Sequence, residues 1–293
     1  MLKILNSTFL ALVTSLLPLL TLAQEPETKT SPFSALSYEK FLWGFRAGLN
    51  VTTPHFDDPD VRKLLDAQPS LGWTLGAVAQ VKLTERYAFQ AELGYTNKTS
   101  RFLYDNGGAE NKMAMDFLDM SLLLRRRFNL NWGKSIHSDI FIGVGPNINY
   151  WLSAQGTLTT IDVEPAFDYN VVMDGTPDAN YSNMYLNGVN RWLFGIDLGV
   201  GINAPISARQ KIFLEFRATL GQTNLGTSSS TSFMNIVAFN GSTFQQNLLQ
   251  QNLKTFSITA AYTFSFNYLE SKKGHSTKDR LVKKKKPAKR KRR

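Results

Sequence analysis

Along the stretch FLWGFRAGLNVT hydrophobicity alternates. Phe41, Trp43, Phe45, Ala47, Leu49 and Val51 share one parity, while Leu42, Gly44, Arg46, Gly48, Asn50 and Thr52 share the other. A period of two is the mark of a β-strand with one oily face. Strands of soluble proteins usually run to about 5–6 residues, so a strand of about twelve points to a bilayer as the partner of the oily side.

The pattern returns seven times. Near 72–83 the apolar parity holds Trp73, Leu75, Ala77, Ala79, Val81 and Leu83, and near 87–96 it holds Tyr87, Phe89, Ala91, Leu93 and Tyr95. Near 117–128 it holds Leu118, Met120, Leu122, Leu124 and Phe128; near 139–152, Ile140, Ile142, Val144, Pro146, Ile148 and Tyr150. Three further strands follow around Trp192 to Ile202, Ile212 to Leu220 and Phe256 to Phe266. The connections alternate in length. Those at 84–86, around Trp132 (about ten residues) and at 205–210 are short, whereas the others are mostly long, above all 153–188 and 225–252.

Tight turns at one end, long loops at the other and an even strand number describe an outer-membrane barrel. Closure removes the unpaired edges that hydrocarbon does not tolerate. The predicted fold class is all-β, an eight-stranded antiparallel transmembrane β-barrel of outer-membrane type over 41–268, with both termini on the periplasmic side. Aromatic residues fit two interfacial girdles: Trp73, Tyr95, Tyr150 and Trp192 at the loop end, and Tyr87, Phe128, Phe264 and Phe266 at the turn end. Arg126 carries the lipid-facing parity but lies near a strand end, where it can snorkel to head groups.

The termini supply an address and a charge. Lys3, the apolar stretch Phe9 to Leu22 and the small-residue run ending at Ala23 read as a secretory signal peptide over 1–23; an uncleaved membrane anchor is the alternative. A periplasmic segment, 24–40, precedes the barrel. The formal charge of +10 is concentrated at the other end, where 272–293 carries thirteen Lys or Arg against the single acid Asp279. That tail, within a predicted region 269–293, includes Lys283, Lys284, Lys285, Lys286, Lys289, Arg290, Lys291, Arg292 and Arg293. In isolation such a run suggests nucleic acid, but a periplasmic tail meets none. Its expected partners are anionic lipid head groups, peptidoglycan carboxylates or an acidic periplasmic protein; a solvated, disordered extension without a fixed partner is the alternative. Zero cysteines exclude a lipid-anchored Cys, disulfides and thiolate metal sites.

On the inward parity, Arg46, Lys82, Arg125, Arg127 and Arg217 face Glu92, Asp119, Asp197 and Glu215. An eight-stranded lumen is wide enough only for its own side chains, so these are expected to pack as an ion-pair network, a proton or small-ion path being the alternative. Inward glycines (Gly143, Gly145, Gly195, Gly199, Gly201, Gly221) make room for long arginines. Catalytic chemistry finds little support. The three histidines, His55, His137 and His275, fall in a loop, a turn and the tail, so neither a His-based triad nor a His-rich metal site assembles; no cofactor or metal is expected. Loop 153–188 gathers Asp162, Glu164, Asp168, Asp174 and Asp178, and loop 225–252 has no charge at all, with Phe233, Met234, Ile236, Val237, Phe239 and Phe244. The second loop is expected to plug the mouth or dock a partner.

Several segments together, GFRAGLNVTT from Gly44, MDFLDMSLLLRRRF from Met115, IFIGVGPNINY from Ile140, FGIDLGVGI from Phe194 and LEFRATLGQTNL from Leu214, resemble the Bacteroidota outer-membrane β-barrel family known as PorT-like. The resemblance implies an outer-membrane barrel and no catalytic residues. The expected function is a non-enzymatic envelope scaffold or accessory to protein export or assembly, its tail binding anionic envelope components. The rival is a surface adhesion or ligand-binding barrel acting through 153–188 and 225–252.

Overall fold

The computed structural model describes residues 41–104, 109–132, 136–160, 163–176, 182–206, 210–234, 244–246 and 249–265. The predicted signal peptide, the predicted periplasmic segment 24–40 and the basic tail lie outside the described residues.

Eight antiparallel strands close into a ring: β1 (Phe41–Phe56), β3 (Ser70–Lys82), β4 (Tyr87–Tyr104), β5 (Ala109–Trp132), β6 (Ile136–Thr160), β9 (Trp192–Pro205), β10 (Gln210–Leu220) and β13 (Gln251–Ser265). Each pairs with its neighbour in that order; β13 joins β1 by a register that includes Arg46 opposite Ala261 and Leu49 opposite Ile258. The eight strands are those the alternation predicts. Closure leaves the ring without an edge strand, the condition for crossing hydrocarbon.

The outward face carries the oily parity. Phe45, Leu49, Leu75, Leu93, Leu122, Ile142, Phe194, Leu214, Phe216 and Ile258 are exposed around the wall. On β1 the exposed apolar positions run from Phe41 to Val51. Ten steps of about 3.4 Å, tilted by about 40°, give a belt about 25 Å tall. Aromatic pairs bound it: Trp73 with Tyr95 (5.4 Å between centroids) and Tyr150 with Trp192 (4.8 Å) at one level, Trp43 with Phe264 (4.1 Å) at the other.

Three strands are much longer than the alternation within the belt predicts. β4, β5 and β6 have 18, 24 and 25 residues and continue past the belt at the loop end. What was expected as a turn of about ten residues around Trp132 is therefore strand up to Trp132 and again from Ile136. The two long loops are also largely strand: β7 (Val163–Met173), β8 (Asn183–Val189), β11 (Gly226–Met234) and β12 (Phe244–Gln246) extend the sheet from β6, with β7 and β8 parallel. In the first long connection a short helix, α1 (Pro59–Leu64), capped by the Asp58 carboxylate, leads to β2 (Leu65–Gln68), which pairs with β4. Asp57 accepts hydrogen bonds from Asn224 (2.7 Å) and Asn252 (3.3 Å), tying this connection to the last one.

At the rim the two faces of the wall exchange polarity. Below it Leu118 points out and Asp119 in; one step above, Asp116 points out and Phe117 in. Continuing the inward row, Met115 and Met113 are buried, as are Phe102 on β4 and Phe56 on β1. In β6 the exchange needs a bulge. Asp116 pairs with Ser153 but Phe117 with Trp151, which leaves Leu152 as an extra residue and shifts the inward parity from Trp151 to Ala154 and Leu158. A bulged strand reverses which side chains face the core. The result is a head outside the belt with its own hydrophobic core, built from Phe56, Phe102, Met113, Met115, Phe117, Trp151, Leu158, Tyr169, Met184, Leu186, Leu225, Leu249 and Leu253. Its outer surface is polar and cross-linked: Arg101 makes a bidentate pair with Glu110 (2.6 and 3.1 Å), and Asp116 accepts from Asn97 (2.8 Å) and Ser153 (3.0 Å).

Candidate functional site

Within the belt the inward face is polar, and among the described residues eight charged side chains are buried: Arg46, Lys98, Arg125 and Arg217 against Glu92, Asp119, Asp197 and Glu215. The charges balance. Arg217 on β10 is the hub. Its Nη1 and Nη2 grip the Glu92 carboxylate across the lumen (2.6 and 2.8 Å), its Nη2 and Nε reach Glu215 (2.9 and 3.1 Å), and Nη1 lies 3.3 Å from Asp197. Arg46 of β1 bridges Glu92 and Asp119, the latter at 3.2 Å, and Arg125 of β5 pairs with Glu215. One chain of ion pairs thus crosses from β5 through β10 and β4 to β1.

The carboxylates are held by neutral donors as well. Asp197 accepts from Ser121 (2.7 Å) and Thr219 (2.6 Å), while Asn147 donates to Asp119 (2.7 Å) and Asp197 (3.3 Å). Such satisfaction is what allows charge to be buried at tolerable cost. Small residues make the room. A Cβ on Gly199 would lie 2.4 Å from a Glu215 oxygen, and one on Gly143 would lie 3.2 Å from Arg125 Cγ. Gly201 instead yields to the Phe141 ring, Gly145 and Gly195 to neighbouring backbone. Gly221, with φ +64° and open space around it, serves the chain's departure from β10.

On the turn side of this layer the Arg125 guanidinium sits in the corner of two perpendicular rings, its carbon 4.0 Å from the centroid of Phe141 and 4.8 Å from that of Phe213. Those rings, with Val78 and Ala261, form a second small apolar cluster. On the loop side, Lys98 Nζ donates to Asn149 Oδ1 (3.1 Å) and lies 5.2 Å from the Phe117 centroid, at the floor of the head core. A cavity of about 20 Å³ remains between Lys98, Asp119, Asp197, Thr74, Thr96 and Thr255, room for about one water. The lumen is filled from the Phe141–Arg125–Phe213 cluster, through ion pairs, to the apolar core of the head.

Seven of the nine inward residues singled out from sequence meet here: Arg46, Glu92, Asp119, Arg125, Asp197, Glu215 and Arg217. Lys82 and Arg127 do not. They share the inward parity but sit at the turn rim, half-buried, Lys82 as the last residue of β3 and Arg127 beside the 83–86 turn, and Arg127 donates instead to the carbonyl oxygens of Thr84 (3.3 Å) and Glu85 (3.1 Å). Lys98 is not among the nine, because it lies beyond the end near Thr96 that the alternation predicts for the strand starting at Tyr87. The signal was there: the inward row Glu92, Gly94, Thr96, Lys98, Ser100, Phe102 continues unbroken.

His55 lies near the head end of β1 and His137 on β6 beside the turn, at opposite ends of the barrel, and His275 is outside the described residues. Of the acids expected to gather in the long loop, Asp168 accepts from Thr157 (2.7 Å) and Asp174 from the Gly188 amide (3.0 Å), while Asp162 and Asp178 are outside the described residues. Among the described residues no group of carboxylates and histidines is arranged to hold a metal ion. Phe233 and Met234 fall on β11 and Phe244 on β12; Ile236, Val237 and Phe239 are outside the described residues. Leu225, Leu249 and Leu253, at the two ends of that connection, are core residues of the head.

A family model for the outer membrane protein beta-barrel domain matches residues 22–226. Among solved structures, the outer membrane protein OprG from Pseudomonas aeruginosa is similar over 77% of this chain and 95% of its own, at 12% identity and a TM-score of 0.40. Neisserial surface protein A matches over 78% and 97% (8% identity, TM-score 0.36), and Ail, the attachment invasion locus protein of Yersinia pestis, over 77% and 99% (9% identity, TM-score 0.32). No curated protein sequence matches the chain.

Proposed function

The chain belongs to the outer membrane protein beta-barrel domain family, whose place is the Gram-negative outer membrane, and we propose from this premise that it is a non-enzymatic, non-conducting anchor that holds a rigid binding head at the cell surface. One observation carries the reading: the lumen is filled with neutralised ion pairs and capped by a dry core. Nothing of substrate size passes such an interior. The strands rising past the belt are therefore read as a platform, with a polar, cross-linked outer face for recognition. Planar-bilayer recording of the purified protein is expected to show no conductance steps in 1 M KCl. Regular steps of porin size would overturn the closed-lumen reading.

Orientation follows from the turns. In outer-membrane barrels short turns face the periplasm, so the end of the barrel that carries the 83–86 turn, where β1 starts and β13 ends, is read as periplasmic, after export through a leader over 1–23. Affiliation with the PorT-like group rests on the resemblance of its strand segments.

A second reading is favoured by the charge distribution. Thirteen bases against one acid in 272–293 give the barrel a periplasmic electrostatic tether, through which it serves as an envelope scaffold or accessory to export or assembly, on anionic lipid, peptidoglycan or an acidic periplasmic protein. Full-length protein is expected to be retained on purified sacculi or anionic vesicles at 50 mM salt and released at 500 mM, because exposed charge pairing is screened. A chain stopped at Ser271 should pass through under both conditions; its equal retention would remove the tether.

A further inference from the structure

At the turn rim the sequence Arg125, Arg126, Arg127 of β5 passes the turn that carries Glu85 and Arg86. The first of the three arginines points into the lumen and is spent on Glu215. The other two are not. Arg127 braces the turn, donating from its guanidinium to the Thr84 and Glu85 carbonyls, and its backbone N–H donates to the Arg86 carbonyl at 2.7 Å, which holds Arg86 against it. Arg126 emerges on the lipid-facing wall, paired in register with Tyr87 and Ile142, its guanidinium carbon 5.2 Å from the centroid of the half-exposed Phe128. Among the described residues neither the Arg86 nor the Arg126 side chain has an ion-pair partner.

Between them opens a concavity of about 400 Å³ lined by Glu85, Arg86, Arg126, Arg127 and Phe128. Three guanidiniums against one carboxylate leave it with a net charge of +2, at the level where the apolar wall ends. Planar guanidiniums with free forks are suited to phosphate oxygens. Immediately above, toward the middle of the belt, Phe89, Leu122 and Ile142 are exposed and offer hydrocarbon contact to acyl chains. We propose that this rim pocket is a binding site for an anionic glycerophospholipid of the inner leaflet, its phosphate between Arg86 and Arg126 and its acyl chains along the β4–β5–β6 wall. Arg127 positions the turn. Phe128 keeps the Arg126 head group at the interface. The leaflet named here rests on the orientation given above, but the pocket's chemistry does not.

The test uses the full-length protein, delipidated in neutral detergent, titrated with dimyristoyl phosphatidylglycerol and read by native mass spectrometry. Each basic side chain near an anionic surface contributes a factor of about five in affinity. The double variant Arg86→Gln/Arg126→Gln is therefore expected to bind roughly 25-fold more weakly, while Arg62→Gln, on the exposed α1 at the far end, stays within about twofold of the parent. If the double variant does not fold, Arg126→Gln alone, on the outer wall, should lose about fivefold. Unchanged binding by these variants would overturn the site. Displacement of the lipid by 10 mM inorganic phosphate would overturn it too, by assigning the pocket to a free anion. Because micelles impose no orientation, a failed titration and an inverted barrel remain separate results.

Discussion

Replacing Arg217 by Met is expected to lower the unfolding free energy of the barrel by about 3–5 kcal/mol, the cost of stranding a buried charge partner. The variant removes the side chain that neutralises Glu92 and Glu215 together and forms an ion pair with Asp197, leaving carboxylates that no solvent reaches. Arg46 and Arg125 still hold one contact each to Glu92 and Glu215, so the barrel should fold but melt earlier. Urea titration of the protein in micelles, followed by the mobility difference between folded and boiled samples on a gel, measures the loss. The network also predicts coupling. Glu92→Gln in the Met background should cost less than Glu92→Gln alone, since the charge it removes has already lost its main partner. A loss below about 1 kcal/mol, or additive effects of the two changes, would mean that the lumen charges are solvated and that the barrel is wetter than this packing implies.

The second large effect belongs to the head. Trp151→Ala should cost about 3–5 kcal/mol, as large buried aromatics do when truncated, and the loss should be local. Trp151 is fully buried where β6 bulges, packs its ring 6.1 Å from that of Phe117 and donates its indole N–H to the Ser153 carbonyl at 3.0 Å. It joins the barrel rim to the head core. Without it, amides of Ala154, Leu158, Tyr169 and Met184 should exchange at least tenfold faster, while those of Leu214 and Ile258 in the belt keep their protection, because sub-global opening follows local packing. Uniform loss of protection over head and belt would show that the two are one cooperative unit. Tyr169 offers a probe inside that core: burial pushes its phenol pKa up from the ordinary value, and its hydroxyl donates to Asn111 Oδ1 at 2.6 Å.

How far the site could be read from the chain depends on distance in sequence. Arg46, Glu92, Arg125 and Arg217 were recognisable as inward-facing by parity, which is a local covalent property of an extended strand. Their partners were not. Arg217 grips Glu92 across 125 residues of sequence, and which of four carboxylates it meets depends on the stagger at which the ring closes. Lys82 and Arg127 satisfy the same parity and yet end at the rim, since parity says nothing of height along the barrel axis. Lys98 was lost to an early strand end, although the run AMDFLDM on the partner strand marks the rim by exchanging the polarity of its two faces between Asp116 and Asp119.

By itself the sequence determined the number of strands in the ring, the face each turns to lipid, the alternation of short and long connections and the charge of the inward side. These follow from the two-residue repeat and from what hydrocarbon tolerates, and need no knowledge of the neighbours. Only the tertiary structure decided that β4, β5 and β6 rise into a head, that one extra residue at Leu152 keeps its apolar side inward, that four buried bases and four buried acids balance within the lumen, and that Arg86 and Arg126 share a rim pocket. Each of those depends on the register between strands. Register is set by closing the whole ring, a condition that no single strand contains.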